Sequence, residues 1–166
     1  MQGVAPRTMV GEFYVHVNLL DPEQQKHVSS CVWLVEHVRT NRWFVMKTPK
    51  PGRPWRAEEN GAFLVKQAID EWRKEKGESA EVFIVELVDS KLSEDSRILC
   101  VELCSFGSIF FNRQPPSLLF VQFVTKCTAR GLQVLHSFGL AHCDLKPDNI
   151  VLSDEVFLCC FLFVSN

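Results

Sequence analysis

The chain has 166 residues, 46% of them hydrophobic, and a formal net charge of −2; that is enough for one domain, or part of a larger one, with a real core. The balance excludes the global basic field of a nucleic-acid binder, and no stretch approaches the roughly 20 apolar residues of a membrane span. Seven scattered cysteines without a C-x-x-C pair indicate neither a zinc framework nor a disulfide scaffold; they read as reduced thiols in a cytosol-like compartment.

The N-terminus, M-Q-G-V-A-P-R-T-M-V, has no sustained apolar core and reads as no signal peptide, so a cytoplasmic location is expected. Residues 12–20 alternate partly and suggest a strand. Val28–Val38 and Arg42–Met46 are rich in β-branched and aromatic residues, and the Thr40-Asn41 turn signal between them predicts a hairpin. The prolines of P-K-P-G-R-P, residues 49–54, mark a loop. Ala57–Lys76 reads as a helix with Phe63, Leu64, Ala68 and Trp72 on one face and Gly77 at its C-terminal cap. Val82–Val88 and Ile98–Leu103 look like two further strands joined by the polar turn S-E-D-S. From Pro115-Pro116 onward, Phe120, Val124, Cys127, Gly131 and Leu135 recur at helical spacing up to Gly139. The order predicts a small β-rich lobe followed by the start of a helical one.

Residues 142–149 read H-C-D-L-K-P-D-N, preceded by L-H-S-F-G-L-A and followed by I-V-L. This segment resembles the catalytic loop of eukaryotic protein kinases, whose serine/threonine-type pattern is H-R-D-L-K-P-x-N. A polar loop with a chance H-x-D would leave the Lys-Pro-x-Asn continuation unexplained. The small-molecule phosphotransferase branch shares H-x-D and the downstream asparagine, but it usually lacks the Lys146-Pro147 pair. The resemblance implies an α+β, protein kinase-like fold: an N-terminal extension over 1–24, a β-rich N-lobe and hinge over 25–104, and a partial helical C-lobe over 105–166. It also implies ATP and Mg2+ as cofactors, with a protein substrate or protein partner; the charge balance and the hydropathy add the expectation of no nucleic acid and no membrane span.

Site residues follow from the same resemblance. Asp144 matches the carboxylate that orients the attacking hydroxyl and accepts its proton. Lys146 would neutralise the transferring phosphate and favours serine or threonine as acceptor. Asn149 matches the amide whose oxygen binds a magnesium ion. His142 would support the loop by packing and hydrogen bonding. Cys143 stands where the family has the arginine that meets a phosphorylated activation loop, which argues against that mode of control. Lys47, ending R-W-F-V-M-K, resembles the V-A-I-K lysine that holds the α- and β-phosphates. Its ion-pair partner is expected to point inward from the next helix: Glu71 is chosen, with Glu58 and Glu59 as rivals nearer the helix start. I-L-C-V-E-L-C-S-F-G-S, residues 98–108, resembles the last N-lobe strand entering the hinge. Val101 would be the gatekeeper, and Glu102 and the Cys104 backbone would face the adenine edge.

Two departures stand against the pattern. Where G-x-G-x-x-G is expected, residues 23–32 read E-Q-Q-K-H-V-S-S-C-V; only Ser29 and Ser30 are small, so weaker phosphate binding is expected. Near the C-terminus, C-C-F-L falls where x-D-F-G belongs, with Cys160 in the aspartate's place and Asp154 too early to substitute. A thiol is a poor ligand for magnesium. The chain therefore reads as a truncated domain, with a catalytically dead pseudokinase or interaction module as the alternative. R-W-F-V-M-K together with D-E-V-F-L-C-C-F also resembles, more faintly, the rhoptry-type kinases and pseudokinases of coccidian parasites.

Overall fold

Strand-forming residues dominate one of the two units into which the chain divides, residues 1–56 and 87–103; the other comprises 57–86 and 104–166. The computed structural model describes residues 8–10, 13–18, 30–50, 56–89, 98–109 and 116–153.

In the first unit, strands β1 (Thr8–Val10), β2 (Phe13–Asn18), β3 (Ser30–His37), β4 (Trp43–Pro49), β5 (Leu87–Asp89) and β6 (Leu99–Glu102) form one sheet, in the order β1-β2-β3-β4-β6-β5. Every neighbouring pair is antiparallel. The predicted β3–β4 hairpin is present, with Asn41 at φ 53, a left-handed conformation that asparagine tolerates well. β1 and β2 fall in the segment expected as an N-terminal extension, and both join the sheet. Side chains alternate across it. One face buries Phe13, Val35, Phe44, Met46 and Cys100 in a single cluster, against which Trp33 packs; the Trp33 indole N–H donates to the Thr48 hydroxyl at 3.1 Å.

Among the described residues, the second unit contains the helices α1 (Arg56–Lys76) and α2 (Leu118–Ser137). α1 buries Val65, Ala68 and Ile69, a stripe at i, i+3 and i+4, with Trp72 one turn further on. This stripe packs with Val82, Ile84, Val134, Leu135 and Leu140. Phe63, expected on the packed face of α1, is exposed. Gly77 ends α1 at φ 104, its N–H donating to the Arg73 carbonyl at 2.8 Å. The strand expected over Val82–Val88 shortens to Leu87–Asp89. Phe83 sits at φ 50, which breaks extended pairing, and the apolar run before β5 is used for burial under the helices. The S-E-D-S turn, most of the P-K-P-G-R-P loop, Ser29 and residues 154–166 lie outside the described residues.

Candidate active site

α2 delivers the H-C-D-L-K-P-D-N segment to its position. Ser117 caps its start, the side chain accepting from the Phe120 N–H at 3.2 Å. At its end, the Gly139 N–H bonds the His136 carbonyl at 3.1 Å and the Leu140 N–H bonds the Leu135 carbonyl at 3.0 Å. Gly139 adopts φ 71. This is a Schellman motif, and its usual apolar contact is present because Leu135 and Leu140 share one core. Leu140 on one side and Ile150 on the other thus tie both ends of the segment to the same packed cluster.

A second strap comes from residues 106–109. β7 (Gly107–Ser108) pairs antiparallel with β8 (Val151–Leu152). The Ile109 N–H reaches the Ile150 carbonyl at 2.9 Å, and the Ser108 hydroxyl donates to the Pro147 carbonyl at 2.8 Å. A single 3-10 turn, Pro147–Asn149, closes the segment. The serine contact spans 39 positions, and no sequence signal marks it.

Within the segment, His142 is buried and its Nδ1 accepts the Asp144 N–H at 3.1 Å. Cys143 takes φ 60, which turns the chain so that Asp144 follows a buried histidine yet remains partly exposed. The Lys146 ammonium lies 2.9 Å from Asp144 Oδ2. The Asn149 amide donates to the same oxygen at 2.9 Å and to the Asp144 carbonyl at 2.8 Å. The carboxylate, ammonium and amide therefore converge on one point.

The electrostatics follow from these contacts. The hydrogen bond from Lys146 holds the Asp144 carboxyl below its ordinary range; partial burial opposes this, and the Asn149 amide reinforces it. The Lys146 ammonium is raised by the same carboxylate. Burial pushes the His142 imidazole down, against a weaker opposing pull from Asp144. At neutral pH the cluster is an ionised carboxylate beside an ammonium, with a neutral imidazole beneath.

In the sheet, Val45 pairs with Val101 and Lys47 with Leu99 and Val32. Directly paired residues share a face, so Lys47 and Val101 lie on the side opposite the Phe44 and Met46 cluster. Glu102 pairs with Phe44 and so directs its side chain to the other face; only its backbone is on offer to a ligand lying along the Lys47 side. The Cys104 carbonyl accepts the Gly107 N–H at 3.0 Å in a turn closed at φ 66.

Glu71 requires a correction. Its side chain is 54% exposed and pairs with Lys74 one turn on, not inward as expected. The helical phase decides this, because the stripe through Val65, Ala68 and Ile69 faces the core and Glu71 lies about 120° from its centre. Glu59, one of the rivals, is half-buried. The strong acidic contact of α1's neighbourhood is elsewhere: Arg73 forms a two-pronged ion pair with Glu86, one prong at 3.0 Å. The sequence carries charges of both signs on either side of the Gly77 turn, but nothing in it sets the register of this pair.

The family profile described as "Protein kinase domain" matches residues 28–162. The chain belongs to that family. Its antiparallel sheet and the helices that follow are those of a protein kinase-like fold, mixed α+β. Among curated relatives, a probable serine/threonine-protein kinase of Candida glabrata, KKQ8, is 27% identical over 115 residues, covering 63% of this chain and 15% of the relative. Flippase kinase 1 of Saccharomyces cerevisiae is 30% identical over 126 residues, covering 73% and 13%. Mitogen-activated protein kinase kinase kinase kinase 3 of Homo sapiens is 39% identical over 75 residues, covering 43% and 8%. The kinase domain chain thus spans under a fifth of the length of these relatives.

Kinase domains use ATP with a divalent cation and act on proteins. Among the described residues of this one, no group of three or more His, Cys, Asp and Glu side chains is placed to hold a metal ion. Asn149 presents an amide oxygen, a hard donor of the kind a divalent cation prefers. Among the described residues no helix is long and apolar enough to cross a membrane.

Proposed function

We propose that this kinase domain transfers the γ-phosphoryl group of Mg·ATP to serine or threonine hydroxyls of proteins. The observation that carries the reading is the convergence of Lys146 and Asn149 on a single oxygen of Asp144. Because both donors occupy Oδ2, Oδ1 is the oxygen left to meet a substrate hydroxyl. The carboxylate stays ionised at neutral pH, so it orients the hydroxyl before transfer and takes its proton as the bond to phosphorus forms.

Lys146 sits two residues on, where its ammonium can move from the carboxylate to the charge developing on the transferring phosphoryl group. Asn149 would hold one cation through its amide oxygen while its nitrogen keeps Asp144 in place. The cation supplies charge neutralisation for the phosphates. On the sheet, Lys47 would hold the α- and β-phosphates, with Val101 beside the adenine and the Glu102 and Cys104 backbone along its edge.

A second reading is favoured by a specific observation: residues 23–32 carry no glycine, and Cys160 stands where a metal-binding aspartate belongs. On that reading the domain is a pseudokinase that binds a protein partner. Two measurements separate them. Mg·ATP raises the melting temperature of the kinase domain, and the shift disappears in Lys47→Ala but persists in Lys66→Ala, a lysine paired on the α1 surface. Transfer of labelled phosphate to a serine- or threonine-containing protein then supports the enzyme; a nucleotide shift without transfer supports the pseudokinase. No shift at all in the unsubstituted chain overturns the assigned nucleotide site.

A further inference from the structure

The turn that carries Asn149 is weakly secured from within. It is a single 3-10 turn, Pro147–Asn149, with no side-chain cap at its start, and 3-10 bonds have poorer geometry than those of an α-helix. Inside it, the Asn149 N–H donates to the Lys146 carbonyl at 2.9 Å and the Ile150 N–H to the Pro147 carbonyl at 3.2 Å. Proline has no N–H, so its carbonyl is the one backbone group by which hydrogen bonds can hold Pro147. A carbonyl oxygen has two lone pairs. Ile150 engages one, and the Ser108 hydroxyl, at 2.8 Å, is placed to engage the other.

Ser108 is itself pinned from both sides. The Phe106 N–H donates to the Leu152 carbonyl at 3.1 Å, and the Ile109 N–H donates to the Ile150 carbonyl at 2.9 Å. The backbone that presents the hydroxyl is therefore fixed against the same stretch of chain that it supports.

We infer that Ser108 is a positioning residue of the site: its hydroxyl fixes the Pro147 carbonyl, and through the turn beginning there it keeps the Asn149 amide on Asp144. The amide lies two residues on and donates to the Asp144 carbonyl at 2.8 Å and to Oδ2 at 2.9 Å. Hydrogen bonds weaken steeply as their angle degrades, so a small tilt of the turn costs this contact more than it costs the fold. The effect on phosphotransfer rests on the proposed function; the effect on the turn does not.

The test compares Ser108→Ala, Ser108→Thr and Ser137→Ala in the full chain. Ser137 also donates to a backbone carbonyl at 2.8 Å, but within α2, so it controls for loss of a serine hydroxyl as such. Two readouts are taken: amide hydrogen exchange of Asn149 and Ile150, and the kinetics of phosphotransfer from Mg·ATP. Ser108→Ala is expected to speed exchange at both amides by at least about threefold and to lower kcat by about three- to tenfold, with KM for ATP unchanged. Ser108→Thr, which keeps the hydroxyl at a strand position that suits a branched residue, restores both; Ser137→Ala moves neither. Unchanged exchange in Ser108→Ala overturns the inference, and so does faster exchange with unchanged kcat. A parallel loss of kcat, ATP affinity and melting temperature that threonine does not restore makes the role merely structural and overturns it too. If the unsubstituted chain transfers no phosphate, the proposed function fails, and the exchange comparison alone decides whether Ser108 holds the turn.

Discussion

Asp144 is the residue on which the site turns, and its surroundings state what its loss should do. Asp144→Asn keeps the size of the side chain but removes the charge and, on the proposed function, the base. Phosphotransfer should drop by roughly 10²–10⁴-fold, while the Mg·ATP-dependent thermal shift is retained; steady-state kinetics beside a melting assay read both. Loss of the shift as well would mean that the substitution unfolds the loop. His142 makes a prediction of a different kind. Burial favours its neutral form, so its folded-state value lies below that of the unfolded chain. The unfolded chain then binds the extra proton, and stability falls as pH falls. The contribution is complete above the unfolded value of about 6.5 and is lost as pH drops through the depressed folded value. A melting-temperature series below about pH 6.5 should show this slope, and the slope should shrink in His142→Asn.

At the scale of elements, the ends of the helices carry the next two predictions. Gly139 has a left-handed backbone and open space around it: an added Cβ would meet no heavy atom within 4 Å. Gly139→Ala therefore meets backbone strain without a clash and should destabilise by about 1 kcal/mol, read as a shift of the urea midpoint at constant slope. A shift several times larger would mean that the Schellman turn itself is rebuilt. Arg73 and Glu86 join the end of α1 to the segment before β5. Both are partly exposed, so a double-mutant cycle should give a coupling of at most about 1 kcal/mol. It should nonetheless exceed that of Lys74 and Glu71, which are more exposed and lie on one helix face. Equal coupling in the two cycles would show that the two-pronged geometry contributes nothing.

For the whole molecule, the buried cluster shared by α1, α2 and the Val82–Ile84 segment is what holds the candidate loop in place. Leu135 is 0% exposed at its centre and also accepts in the turn that launches the loop. Leu135→Ala should cost about 2–5 kcal/mol and should weaken phosphotransfer as well as stability, because the cavity opens beneath the segment that holds Asp144. Chemical unfolding together with activity measured well below the unfolding midpoint would check this. A stability loss with unchanged activity would separate the core from the loop.

What the amino-acid order determined by itself was local. The hairpin at Thr40-Asn41, the two capped helices with Gly77 and Gly139 at their ends, and the H-C-D-L-K-P-D-N segment were all legible. Each depends on residues within a few positions of one another, where propensity, φ restrictions and turn chemistry act directly. Tertiary structure decided the rest. It shortened the strand expected over Val82–Val88, because an apolar run does not say whether it pairs or simply packs. It turned Glu71 outward, because a carboxylate's direction follows the phase of the buried stripe and not its distance from Lys47. It brought Ser108 to Pro147 and Arg73 to Glu86, contacts between residues far apart in the chain, which only packing can set.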